Sequence, residues 1–414
     1  MNGREKHEKS RKWNLNSVFV ALRVLSRLLP SASFLCLGIP FADTARAQQL
    51  SQNSEFAIQH PGQLYTADKL NPVSYAADCS VIVTPPYKAK VLKVWIPIPP
   101  TNGAQVVHAS EFSTFPLDVK AKIGTEKTYG NQFAYFEFKD PQGAQIIRHK
   151  FQVLAYELHW NVLPEKVKAV EKWPAGFDIY RRSESQAVVV DDRFQKLLKQ
   201  IAPHRTNGHS DLSLVMSWVG ENFTYDHHDA SLAANSVKAL ETYRGHCSDY
   251  HGFCAAMGRA LGYPTRVTYG INTFPKNSPS HCKLEAFLPP YGWVSFDVSE
   301  TQKLIAAIKK DGKLSEQEKA ELITAASQRL TSGFRDNTWF LQTVGTDYDL
   351  EPPAKKRVPL VRTAYVEADG VALPDPDPAD PQKREFAWMT AYEFQTEGKV
   401  VNPFADYSSL KAND

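Results

Sequence analysis

Past residue 42 the sequence has no hydrophobic run of transmembrane length, no sustained basic stripe with interleaved aromatics, and few cysteines. Each absence removes a class of function. Without an apolar run near 20 residues no helix of the mature chain is expected to span a bilayer. Without clustered basic residues there is nothing to neutralise phosphates, so no nucleic-acid partner is expected. Of five cysteines, Cys36 lies in the leader described below, leaving Cys79, Cys247, Cys254 and Cys282. If one of these must stay free, at most one disulfide can form. Histidines and acids fall close together at residues 225–229 (Tyr-Asp-His-His-Asp), with His204 and His209 nearby, but no spaced partner set of a closed zinc site accompanies them. Residues 374–381 (Pro-Asp-Pro-Asp-Pro-Ala-Asp-Pro) carry three carboxylates without a glycine to wrap a calcium ion, and their prolines read as a stiff extended linker. No metal or cofactor is expected.

What is present begins with a leader. Residues 1–47 have a basic head (Arg4, Lys6, Lys9, Arg11, Lys12), an apolar stretch at 28–42 interrupted by Pro30, Gly38 and Pro40, and a small-x-small site at Ala45-Arg46-Ala47 before Gln48. This reads as a signal peptide, with an uncleaved anchor as the alternative, and it predicts an exported, periplasmic or extracellular protein beginning at Gln48. The leader holds eight basic and three acidic residues, so its removal takes the formal net charge from +3 to −2. At 414 residues and 43% hydrophobic content the chain can bury a large core.

Residues 48–72 are polar and unpatterned, a linker. From 73 to 160, short segments rich in β-branched and aromatic residues (79–83, 91–96, 132–138, 146–156) are separated by Pro, Gly and Asn clusters, which predicts an antiparallel β-sandwich. Residues 161–186 are a connector. Two helices follow. One is capped by Asp191 or Asp192 and carries Phe194, Leu197, Leu198 and Ile201; the other is capped by Ser210 and carries Leu214, Met216, Trp218 and Val219.

The most informative stretch is 244–261. After Cys247, apolar residues at Tyr250, Phe253, Cys254, Met257 and Leu261 wind into one helical stripe, which Gly262 and Pro264 stop. Cys247 then sits in the first turn, where unpaired N–H groups and the positive end of the macrodipole favour a thiolate. A cysteine nucleophile needs a base and a group to orient it. Downstream, Cys282, Leu284, Ala286 and Leu288 alternate with His281, Lys283 and Glu285, so the histidine lies on the polar face of a strand. A turn at 289–292 leads to a returning strand, 293–298, where Asp297 can stand across the hairpin from His281. Cys254 and Cys282 face apolar packing and read as buried thiols. Residues 303–330 read as one or two surface helices.

This ordered series, Gly-x-Cys with Asp249, the helix, the segment 260–267 (Ala-Leu-Gly-Tyr-Pro-Thr-Arg-Val), the histidine strand and Tyr291-Gly292-Trp293 with Asp297, resembles the transglutaminase-like superfamily of papain-fold thiol enzymes, in its bacterial exported branch. The likeness extends to 332–336 (Ser-Gly-Phe-Arg-Asp) and 365–370 (Tyr-Val-Glu-Ala-Asp-Gly), and so covers about residues 210–370. It implies an α+β fold, with a helix-borne cysteine packed on an antiparallel sheet over residues 187–372, behind an N-terminal β-domain and ahead of a linker and tail at 373–414. It also implies Cys247 as nucleophile, His281 as general base and acid, Asp297 as the orienting carboxylate, and residues 225–229 lining the cleft. The implied reaction is thiol acyl transfer on an amide of a protein or peptide, with hydrolysis as the default, cross-linking as the alternative, and a non-catalytic binding module as the rival. One departure stands out. Family members often carry an aromatic residue two after the histidine, where this chain has Lys283, so the substrate-side wall of the cleft is expected to differ.

Overall fold

The computed structural model describes residues 65–411 except 207, 277 and 383–385. The leader, its cleavage site and Cys36 lie outside the described residues.

The described chain is α+β, with three main antiparallel sheets and six α-helices. Strands β1 (Asp68–Val83), β2 (Val91–Pro97), β3 (Gln105–Phe115), β4 (Lys122–Thr125), β5 (Gln132–Lys139) and β6 (Gln145–His159) come first. Helices α1 (Asp192–Ile201) and α2 (His209–Asn222), the short strand β7 (Thr224–Tyr225), α3 (Ser236–Thr242), the short strand β8 (Arg244–Gly245) and α4 (Cys247–Ala260) follow. Next are β9 (Thr265–Asn272), β10 (Ser280–Phe287), β11 (Trp293–Phe296), α5 (Val298–Lys310) and α6 (Glu316–Ser332). The chain closes with β12 (Phe334–Arg335), β13 (Trp339–Val344), β14 (Tyr365–Ala368), β15 (Val371–Ala372) and β16 (Trp388–Thr396).

One sheet runs β12-β6-β1-β16 with β3 also on β6, and a second runs β15-β14-β2-β5-β4. They face each other over a core that includes Val83, Leu92, Val94, Phe136, Ile147, Val366 and Trp388, which makes a β-sandwich. Four of its strands come from the far end of the chain, which corrects the contiguous division drawn from the sequence. β14, expected inside the catalytic domain ending at 372, pairs with β2, and β16, expected in a linker and tail at 373–414, pairs with β1 over nine positions. The 48–72 linker likewise ends early: Tyr65 is buried and bridges to Gly292, and β1 starts at Asp68. Short terminal segments gain their backbone partners from strands distant in sequence, which local composition does not report. β3 escapes the sequence reading because its central exposed positions, His108, Ala109, Ser110 and Glu111, are not β-formers.

The third sheet, β11-β10-β9-β13, is the floor of the site. α4 packs on β9 and β10, with α1, α2 and α3 around it. The expected apolar stripe of α4 is buried, and so is its other face, because helices cover the side that the sheet does not. Asp191 caps α1 as expected, its carboxylate accepting from the Arg193 N–H. The cap of α2 is Gly208 rather than Ser210, and Leu214 is 48% exposed. The buried face there runs Leu212, Val215, Met216 and Val219, the i, i+3, i+4, i+7 set that a 3.6-residue period brings to one side.

Trp388 anchors β16 between the two sandwich sheets. Trp388→Ala is expected to cost about 3–5 kcal/mol, the usual loss for emptying a large aromatic site in a core. Urea unfolding of the full chain measures it; a loss under about 1 kcal/mol, typical of surface changes, would mean that the tail is dispensable to the sandwich.

Candidate active site

The first residue of α4 is Cys247, 6% exposed. The start of that helix is tightly specified. His246 is the N-cap, its Nδ1 accepting from the Ser248 N–H at 3.0 Å, and the Asp249 carboxylate accepts from the His246 N–H at 3.2 Å. This reciprocal pairing satisfies two of the helix's orphan donors. Gly245 enters at φ +143, and a Cβ there would collide with Asp249, so only glycine fits the turn that delivers the cysteine.

His281 lies on β10 and Asp297 follows β11 as the N-cap of α5. The imidazole Nε2 is 2.7 Å from Asp297 Oδ2, and the ring lines the same pocket as Cys247, whose charge helps to raise the His281 pKa. The three predicted residues therefore meet. Their arrangement departs from the expected one in register. Leu284 pairs with Phe296, so one further step sets Lys283 across from Asp297, with His281 one same-face position beyond. The polar face of β10 is also buried, because every charge on it is paired: Glu285 with Arg266 at 2.7 Å, and Lys283 with Asp297 at 2.6 Å and Asp336 at 2.9 Å.

Lys283 consequently forms no wall of the cleft, which corrects the sequence reading. It is buried behind the histidine, its Nζ about 5.2 Å from both the Trp339 and the Phe404 rings. Although burial opposes its charge, the carboxylates of Asp297 and Asp336 keep its pKa above that of a free lysine. Asp297 in turn is held well below the usual carboxylate range; burial opposes this, and His281 and Lys283 outweigh it. Its Oδ1 accepts from the Glu300 N–H at 3.0 Å. Burial alone would depress His281, yet Asp297 and Cys247 raise it to about 9. The Cys247 thiol is pushed well below its ordinary value by a hydrogen bond from Cys282, against burial, with help from His246 and His281. The two shifts together describe a thiolate–imidazolium pair.

Cys247 and His281 open on a pocket of about 170 Å³, also lined by Tyr225, His227, Lys276 and Lys303. The Tyr225 side chain lines this pocket beside Cys247. Segment 225–229 thus reaches the cleft, and its histidines face carboxylates of the proline-rich stretch: His227 Nδ1 lies 2.9 Å from Asp377, and His228 Nδ1 lies 4.0 Å from Asp380. Arg362 holds Asp375 at 3.3 Å, and Ala379 lines the pocket. Residues 374–381, expected to be a linker between bodies, are instead a strap docked beside the cysteine, since each of its aspartates finds a cationic or imidazole partner. Among the described residues no group of three or more His, Cys, Asp or Glu side chains is arranged to hold a metal ion. Residues missed in the sequence are His246, His251, Glu300 and the strap; His246 adjoins the cysteine, but nothing local marks the others.

A helix-borne cysteine set against a strand-borne histidine and its carboxylate on an antiparallel sheet defines the papain-like class of cysteine-enzyme folds. Residues 195–298, which contain all three side chains, match the family model described as the transglutaminase-like superfamily. A crystal structure from Cytophaga hutchinsonii, described as that of a candidate cysteine protease, is similar over 84% of this chain and 98% of its own, at 14% identity and a TM-score of 0.56. An uncharacterised Haemophilus influenzae protein is 22% identical over 333 residues, 72% of this chain and 86% of its own length. The periplasmic domain of TgpA from Pseudomonas aeruginosa aligns over 55% of this chain and 96% of its own at 13% identity, with a TM-score of 0.29.

Lys283 is the cation on which two buried carboxylates depend. Lys283→Met is expected to destabilise the protein by about 3–5 kcal/mol, the cost of leaving buried charge uncompensated. Adding Asp336→Asn should recover part of that loss in urea unfolding. Equal stability of Lys283→Met and wild type would contradict the pairing.

Proposed function

We propose that the chain is an exported thiol enzyme that breaks amide bonds of protein or peptide substrates through Cys247, His281 and Asp297. The observation that carries this reading is the single imidazole that shares a pocket with Cys247 and is held on its other side by a buried carboxylate. The Cys247 thiolate attacks the amide carbonyl, and the His281 imidazolium gives its proton to the departing nitrogen, leaving a thioester. Neutral His281 then takes a proton from water, whose attack on the thioester releases the acid and regenerates the pair. Asp297 orients the ring and offsets its charge; it need not take a proton. For the oxyanion, one donor is the Cys247 backbone N–H at the helix start. We assign the second to the Tyr225 hydroxyl, which lines the same pocket as Cys247 and, chiefly through burial, keeps its proton well above neutral pH. Export is supported by the leader pattern, and no helix among the described residues is long and apolar enough to cross a membrane. Water is the default acceptor, and cross-linking is the outcome if an amine resolves the thioester instead.

Iodoacetamide labelling with peptide mapping tests the nucleophile before any substrate is known. Cys247 should label first, and His281→Ala should slow it; preferential labelling of Cys79 or Cys282 would overturn the assignment. On a peptide library with and without an added amine, Cys247→Ala and His281→Ala should each abolish turnover, while Asp297→Asn leaves a residue of activity. Tyr225→Phe should cost about 10²–10³ in kcat, as for other single oxyanion donors. The pH profile follows from the shifts. Cys247 is already a thiolate well below the ordinary thiol range, so labelling should persist into acid. Amide turnover should fall as pH rises through about 9, where His281 loses the proton that the leaving nitrogen needs.

A further inference from the structure

The nucleophile has a second thiol for a neighbour. Cys282 follows the histidine on β10, so its side chain points to the opposite face of the strand, toward α4, and it is fully buried there. His251 lies four residues after Cys247 on α4, on the same helix face. The Cys282 sulfur is 3.5 Å from His251 Nδ1, one helical turn from Cys247, and the Cys282 thiol is the chief cause that lowers the Cys247 pKa.

Proton positions along this chain are set by the backbone. The Val298 N–H donates to His251 Nε2 at 3.2 Å, which makes that nitrogen an acceptor and leaves the proton of the neutral ring on Nδ1. Burial keeps His251 neutral, depressing its pKa to about 4. Nδ1–H therefore donates to the Cys282 sulfur, and the Cys282 S–H is free to donate to the Cys247 thiolate. Other thiols are excluded by distance or placement. Cys254 is seven residues along the same helix from Cys247, roughly 10 Å of rise, beyond the reach of a disulfide. Cys79 belongs to the sandwich strand β1.

We propose that Cys282 is a resolving thiol: when a peroxide oxidises Cys247, the two cysteines close a reversible disulfide that protects the nucleophile from irreversible oxidation. The inference rests on Cys247 being the reactive thiol of the proposed enzyme. In the first step the Cys247 thiolate attacks one peroxide oxygen. The O–O bond breaks, and the departing hydroxide takes the His281 proton to become water, so sulfur loses two electrons and the peroxide gains them. In the second step the Cys282 sulfur attacks the Cys247 sulfenic acid. The S–S bond forms, the S–O bond breaks, and hydroxide leaves with the Cys282 proton as a second water. A dithiol restores both thiols by exchange. An unpaired nucleophile in the same position would have no such route and would pass on to the sulfinic acid, which a dithiol does not reduce.

The test is by mass and does not depend on amide turnover. The full chain is treated with hydrogen peroxide, its remaining thiols are alkylated under denaturing conditions, and its peptides are mapped without reduction. The wild type should lose the mass of two hydrogens, with its Cys247 and Cys282 peptides linked. Iodoacetamide labelling of Cys247 should disappear and return with dithiothreitol. In Cys282→Ala, and in Cys282→Ser should the alanine variant not fold, Cys247 should instead gain two oxygens, and dithiothreitol should not restore labelling. Wild-type protein in which Cys247 gains two oxygens while Cys282 remains alkylatable overturns the proposal, as does linkage to Cys79 or Cys254. Labelling of the untreated protein separates the two readings. If Cys247 labels first but forms no disulfide, only the resolving role falls; if the disulfide forms in a protein that turns over no amide, the resolving role stands without the enzyme.

Discussion

The site depends on a buried carboxylate. Asp297 follows β11, caps α5, holds His281 and accepts from Lys283. A carboxylate so far from water is ionised only because cations and N–H donors surround it, so its charge is a property of the whole constellation. The histidine on one side and the lysine on the other compete for the same oxygen, Oδ2. Lys283 is in turn shared with Asp336, which enters from beyond β12. The β10–β11 hairpin is thereby tied to a segment that follows α6.

The same tie explains why the two halves of the chain are not separable. β12 leaves the helical region and pairs with β6, β14 and β16 complete the sandwich, and Tyr65 from the start of the described chain reaches Glu285 on β10. Behind the sheet, Glu285 and Arg266 form a buried pair, with Arg266 stacked at 3.9 Å over the Trp293 ring. Buried pairs of this kind add little net stability but are costly to break, which makes them devices of register. Here they hold β9, β10 and β11 in the alignment that sets Lys283 across from Asp297, with His281 one same-face position beyond.

Much of the site was legible because its chemistry is local. The thiol at a helix start follows from a cysteine between Gly245 and an apolar stripe, and the histidine's placement opposite the Cys282 face follows from strict alternation. The paired strands at 280–287 and 293–296 follow from turn residues between two alternating runs. What failed was register and partnership. Asp297 could be placed on the facing strand, but the two-position offset from His281 depends on how the hairpin closes. Lys283 looked like part of a cleft wall because a lone lysine on a polar face is ordinarily solvated, and its two carboxylate partners lie 14 and 53 residues away. The proline-rich strap looked like a linker because stiffness is written in its composition, while the imidazoles and guanidinium that dock it are not.

The sequence by itself determined the class of architecture, the helix that carries Cys247, and the three residue types the site brings together. Periodicity, capping and turn chemistry act within a few residues, so these are readable from the chain alone. Only the tertiary structure decided that β14 and β16 belong to the N-terminal sandwich, that Lys283 is buried between two aspartates, and that Cys282 packs against His251, one helical turn from Cys247. Each of those is a choice among partners distant in sequence. It is made by which buried charges and backbone groups can be satisfied together, and that condition exists only once the whole chain has closed.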